Sequence, residues 1–168
     1  MVNNIEYEGN VKLTLWKNNK IYNSYVVKNS GTQNLFQGIA LALIQASKKN
    51  LLPNYIAVGT NADKTTDDQF KLGTQLLRVM IPSGGKTSEP NKAENDPSKD
   101  DGFKAIFTAV IPSNSISPDT PINELGLFGT AEGNTMLARV VLTQPIYVEL
   151  GLSLSIEWSM IINNKGKK

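Results

Sequence analysis

From Leu150 onward every even position up to Ile162 is apolar: Leu150, Leu152, Leu154, Ile156, Trp158, Met160 and Ile162, while Gly151, Ser153, Ser155, Glu157 and Ser159 stand between them. A repeat of two gathers apolar side chains on one face only if the chain is extended, because successive side chains of a strand point to opposite faces. The C-terminal part is therefore expected to be one long strand lying on a core, and the rest of the chain must supply the other side of that core.

Other segments agree with a β-rich fold. Val11, Leu13 and Leu15 alternate with Lys12, Thr14 and Trp16; Lys17-Asn-Asn-Lys20 has turn chemistry; and the extended pattern resumes from Ile21 to Val27. This predicts a β-hairpin. Further strands are expected at Tyr55–Gly59, Leu76–Ile81, Phe103–Ile111, Ile122–Phe128 and Met136–Leu142. Leu35, Phe36, Ile39, Ala40, Leu43 and Ile44 recur instead at helical spacing, after Ser30-Gly-Thr-Gln33, which reads as a hydroxyl N-cap with a capping box. One amphipathic helix over about 33–48 follows from that pattern.

From Pro82 to Gly102 the chain is almost devoid of apolar residues and carries Pro82, Pro90 and Pro97. Such a composition buries too little to offset ordering entropy, so a mobile polar loop at about 83–102 is expected. The whole chain, 1–168, fits one domain. Many short strands, one helix and Gly/Pro-rich turns predict an all-β-dominated fold, an antiparallel β-sandwich with one packed amphipathic helix.

Composition excludes several chemistries. The sequence has no histidine and no cysteine, which removes histidine-assisted hydrolysis, the common zinc sites and disulfides. The net charge of +2 is spread without a basic block beyond the Lys165–Lys168 tail, so no specific nucleic-acid partner is expected. No apolar run is long enough for a bilayer, and the N-terminal residues lack the pattern of a signal peptide, so synthesis in a cytoplasm is expected.

Motif-like fragments read as structural. Ser83-Gly-Gly-Lys-Thr87 imitates the end of a phosphate-binding loop, but Met80 stands where its first glycine belongs and no helix pattern follows. Asp96, Asp100 and Asp101 lack calcium-loop spacing and are expected to be a solvated acidic turn. No carboxylate pair is marked out for glycoside chemistry, and no cofactor is implied. Trp16, Tyr22, Tyr25 and Tyr147 offer a sugar-stacking platform only if they share an exposed face; otherwise they are core or cross-strand partners. The mixed charges Lys86, Glu89, Lys92, Glu94, Asp96, Lys99 and Asp100 suit complementary rim contacts with a neighbouring protein.

Only two arginines occur, Arg78 and Arg139, and both fall inside expected strands between apolar neighbours. A turn over Gly129–Asn134 implies paired residue numbers that sum to about 263 or 264; a sum of 263 sets Glu124 opposite Arg139, on the face away from Leu125 and Leu127, as a scaffold ion pair, with Arg78 the weaker candidate partner.

Read in order, Asn29-Ser-Gly-Thr-Gln-Asn-Leu-Phe36, Tyr55-Ile-Ala-Val-Gly-Thr60, Leu72-Gly-Thr-Gln-Leu-Leu-Arg78, Ile122-Asn-Glu-Leu-Gly-Leu-Phe128, Leu137-Ala-Arg139 and Leu154-Ser-Ile-Glu-Trp158 resemble a family of minor structural proteins of tailed bacteriophages. The resemblance spans about 29–162 and is densest over 122–158. It implies a non-enzymatic virion protein, made in the bacterial host cytoplasm, that docks in a tail, fibre or neck/collar assembly, without cofactors or catalytic residues. Its partners are expected to be other virion proteins, and its copies to repeat in a symmetric, homo-oligomeric assembly. Capsid decoration in a head-associated position and a receptor- or carbohydrate-binding module of a fibre are the alternatives.

Overall fold

The computed structural model describes residues 5–43, 51–64, 69–93 and 96–164. Its strands, in chain order, are β1 (Ile5–Lys17), β2 (Lys20–Gly31), β3 (Tyr55–Gly59), β4 (Gln75–Met80), β5 (Lys86–Ala93), β6 (Asp96–Ile111), β7 (Ile122–Phe128), β8 (Met136–Ile146) and β9 (Ser153–Asn164), with helix α1 (Gln33–Leu43) after β2. All pairings are antiparallel. One sheet has the order β2-β1-β9-β6-β5, the other β4-β3-β7-β8. They are joined at a short seam where Ser30 and Gly31 of β2 pair with Arg139 and Ala138 of β8. The protein is thus an antiparallel β-sandwich with one helix, as the periodicities predict.

The long C-terminal strand is central. β9 lies between β1 and β6, and Leu152, Leu154, Ile156, Trp158 and Met160 are all buried. They meet Val11, Leu13, Leu15, Ala109 and Ile111 of their own sheet and Ile56, Val58, Leu125, Leu127, Ala138 and Val140 of the facing one in a continuous apolar core. The alternation outruns the burial at both ends. Leu150 is 69% exposed and precedes the strand, next to Gly151, whose φ of 78° turns the chain; Ile162 is 42% exposed.

The β1–β2 hairpin forms as expected. Asn18 and Asn19 both adopt positive φ, 50° and 60°, the geometry of a two-residue turn that matches strand twist and that asparagine tolerates. Helix α1 begins at Gln33, and positions 44–48 of the expected helix lie outside the described residues. Its N-terminus differs from the expected capping box. Ser30 belongs to β2, and the Thr32 hydroxyl donates to the β8 carbonyls of Met136 or Leu137 (2.8 and 2.9 Å), so the side-chain cap is spent on anchoring the helix to the sheet. Leu35 enters the core, whereas Phe36 is exposed and meets Tyr7 edge-to-face at 6.0 Å.

The segment expected as a mobile loop at 83–102 is built differently. After a short 3-10 turn at Ser83–Gly85, the chain forms β5 and the first part of β6, paired to each other as an arm. β6 pairs with β9 only from Gly102 onward, so the distal arm is a two-stranded ribbon with irregular register near Lys92 and Ala93. Polar composition misled here because β5 is the last strand of its sheet. An edge strand needs no apolar outer contact and tolerates a proline, and Pro90 sits there paired with Phe103.

A polar side chain meets the core at Trp158. The indole N–H of Trp158 can only donate, which assigns the Asn29 amide the orientation with its oxygen towards the indole; its nitrogen is then placed to donate to Gly9 O (3.1 Å) and Tyr7 Oη (3.2 Å). A Cβ at position 9 would collide with that amide, so glycine is required for this approach. Burial pushes the Tyr7 phenol up to about 12, with the Asn29 hydrogen bond pulling the other way. A raised pKa means that the folded state holds the proton more tightly. Tyr7 therefore contributes full stability below its ordinary value of 10 and loses it as pH climbs towards 12. Denaturation curves of wild type and Tyr7→Phe compared across this window should show the extra loss in wild type alone.

The core makes a second expectation. Ile156→Ala, at a fully buried position, should cost about 2–5 kcal/mol in urea denaturation, and Leu150→Ala should stay within about 0.5 kcal/mol of wild type.

Candidate functional site

On the outer face of the second sheet, Glu124 of β7 and Arg139 of β8 form an ion pair with both side chains fully buried. Arg139 Nε donates to Glu124 Oε2 at 2.9 Å, and Nη2 lies 2.7 Å from the same oxygen. The expected pair and its face are therefore present, but the register differs. Glu124 lies opposite Val141 and Arg139 opposite Gly126, so the two meet diagonally, shifted two residues from direct pairing. A register irregularity between Leu127 and Phe128, next to the turn, contributes to the shift; being even, the shift leaves the face unchanged.

What covers the pair is the connection between β3 and β4. Glu124 Oε1 accepts from Asn61 N (3.2 Å) and Thr74 N (2.9 Å), and Oε2 accepts from Gly73 N (3.2 Å). Arg139 Nη1 donates to Asp63 O (3.0 Å), Lys64 O (3.4 Å) and Gln69 Oε1 (2.9 Å). The carboxylate thus collects backbone donors and the guanidinium collects acceptors from one surface loop. Gly59, paired with Glu124, leaves the room this needs, since a Cβ there would press on Glu124 and on the Thr74 carbonyl. Beside the ion pair, Leu72 closes a small second cluster with Ala57, Phe128 and Met136. The sequence identified the two charged residues but not their loop partners, because a backbone amide carries no residue identity.

Arg78 has a different task from the one considered for it. Its guanidinium lies over the Phe128 ring, 3.6 Å from the centroid, and donates to Thr130 O (2.9 Å), Gly133 O (3.4 Å) and Gln75 Oε1 (2.7 Å from Nη2). It fastens the β7–β8 turn and does not pair with Glu124. Partial burial lowers its pKa, opposed by the charge of Glu132.

The charges expected to act together on the arm are spread along it. Lys86, at the base, donates to Asn54 Oδ1 at 2.6 Å, and Glu89 pairs with Lys104 at 3.0 Å. Lys92 is exposed, opposite Asp100 in register; Asp96 and Lys99 lie on β6, and Glu94 lies outside the described residues. Six residues of strand separate Lys86 from Lys92, roughly 20 Å, so these charges form an edge and not a cluster.

Nor do the aromatics form one platform. Tyr25 pairs with Leu13 on the inward side of the sheet, whereas Trp16 follows buried Leu15 and points to the other face. An open groove of about 860 Å³ is lined by Asn54, Tyr55, Met80, Ser83, Lys86 and Thr130, among others. Its polar groups are largely engaged: the Asn54 amide donates to Leu52 O and Gly129 O and accepts from Lys86. An apolar pocket of about 220 Å³ lies between α1 and strands β6 and β9, lined by Leu35, Ile39, Leu51, Phe103 and Met160 among others. Among the described residues no group of three or more acidic side chains is placed to hold a metal ion, and no helix is long and apolar enough to cross a membrane.

The arrangement around Glu124 latches a loop to a sheet, and each side chain is shielded from any substrate. Removing one partner strands a buried charge. Arg139→Met should therefore cost about 3–5 kcal/mol in chemical denaturation, and Glu124→Gln should in addition speed hydrogen exchange at the Gly73 and Thr74 amides. Normal exchange at those two amides in Glu124→Gln would show that the loop is held by other contacts. No protein-family model matches this chain, and no curated protein is significantly similar to it.

Proposed function

We propose that the chain is a non-enzymatic structural protein of a tailed-bacteriophage particle, docking in a tail, fibre or neck/collar assembly alongside other virion proteins and in repeated copies. The observation that supports this reading most is how the phage-like fragments are used. Tyr55–Thr60 supplies β3, Leu72–Arg78 ends the latched loop and supplies most of β4, Ile122–Phe128 is β7, and Leu137–Arg139 lies on β8. Together they build the Glu124–Arg139 latch, which supports reading these fragments as scaffold.

The residue inventory points the same way. Without histidine or cysteine, acid–base work near neutral pH falls to carboxylates or lysines. Glu124, the carboxylate with the most elaborate surroundings, already accepts from three backbone amides and an arginine. A fibre-tip glycan module is less favoured, since Trp16 and Tyr25 face opposite sides of their sheet.

Mass spectrometry of purified particles from a lysate encoding the chain should find it at a fixed copy number, and immunogold labelling should place it on the tail, fibre or neck. Labelling over the head would transfer the role to capsid decoration. Absence from particles, or a saturable turnover abolished by replacing one Asp or Glu, would refute the reading.

A further inference from the structure

Among the described residues, strand β2 has one side paired only at its end. From Lys20 to Asn29 it pairs with β1, but on its other side it meets β8 only at Ser30 and Gly31, beyond which the two sheets diverge. Every residue from Ile21 to Val26 is exposed, with Ile21 at 60%, Tyr22 at 54% and Val26 at 69%. The Ser24 amide donates to the side-chain oxygen of Asn23 at 2.8 Å.

Strand edges that stay in water are normally guarded by charges, prolines or bulges, because an open row of backbone groups is a template for another strand. β5, at the end of the same sheet, is guarded in this way by Glu89, Pro90 and Lys92. From Ile21 to Val27, β2 has no charge, proline or glycine, and it is rich in the β-branched and aromatic residues that favour pairing. Only the bulge near Trp16 interrupts it. An edge so composed is suited to being covered.

Charge selects the occupant. No carboxylate side chain occurs between Glu8 and Asp63, whereas β1 and β2 carry Lys12, Lys17, Lys20 and Lys28. Lys28 reaches Glu8 only at 3.8 Å, with most of its side chain in solvent. If two copies paired antiparallel about Ser24, Lys20 of each would face Lys28 of the other at both ends of the ribbon, and like charges directly opposite are destabilising. A foreign strand ending in carboxylates meets both lysines favourably.

We infer that β2 accepts, as an added antiparallel strand, an extended segment of another protein that is β-branched in its middle and carries Asp or Glu at its ends. This names a surface and a partner chemistry for the docking role and rests on that reading.

The full chain, isotopically labelled, can be titrated by NMR with a short blocked peptide that alternates valine and threonine between terminal glutamates, and with its lysine-ended counterpart. The expected result is shift changes confined to Lys20–Lys28 and the facing part of β1. The glutamate-ended peptide should bind about tenfold or more tightly than the other, by a margin that shrinks at roughly 0.5 M salt. Val26→Glu, at an exposed side chain, should weaken that binding about tenfold while leaving the melting temperature unchanged. Equal binding of the two peptides, shifts elsewhere, no binding at millimolar peptide, or self-association through this edge would each overturn the inference. Particle localisation is scored separately: peptide binding by a protein missing from particles sinks the virion setting alone, and a particle-bound protein indifferent to these peptides sinks the edge alone.

Discussion

The buried pair between Glu124 and Arg139 is the constraint around which half of the molecule is arranged. Two charges taken out of water at a sheet surface need partners, and here a loop supplies most of them through backbone amides and carbonyls and the Gln69 side chain, while Arg139 Nη2 faces only the Glu124 carboxylate. The loop gains a fixed path without an apolar core of its own. The pair also makes the register of β7 against β8 costly to change. A one-residue slip of β7 would turn Glu124 towards the apolar interior beside Val58 and Val140 and expose Leu125 and Leu127.

The two faces of that sheet therefore follow different rules. Inward, burial is apolar and tolerant in the ordinary way, with volume and shape deciding the cost of change. Outward, it depends on complementary polar groups in fixed positions, with Arg78 on Phe128 repeating the theme at the β7–β8 turn. In the other sheet the Asn29 amide sits between Trp158 and Tyr7, and Gly9 makes way for it. Since the sequence lacks histidine, none of these devices contains a side chain whose ordinary pKa lies near neutrality.

Side-chain periodicity carried most of the fold. The alternation through Trp158, the asparagine turn at Asn18 and Asn19, and the face shared by Glu124 and Arg139 could be read because each is a property of side chains at fixed spacing. Three features could not. The arm built on Lys86–Ala93 is an edge ribbon whose polar composition looks like a loop. The exact β7–β8 pairing depends on register irregularities that no residue type announces. The latch is completed by the amides of Asn61, Gly73 and Thr74, and a backbone amide is a group that every residue but proline carries.

The central pairing of β1 with β9 has a mechanical corollary. Ile5 lies opposite Asn164, and Trp16 lies opposite Ser153, so the outer ends of the two strands emerge side by side at the same end of the sheet. Tension applied between those ends would part the β1–β9 ladder one rung at a time, like a zipper, instead of loading all its hydrogen bonds together in shear. Attachments at these ends would both leave from one pole, with the Asn18–Asn19 turn at the opposite pole. As a mechanical element, the β1–β9 pair is a poor link for tension applied between those two ends.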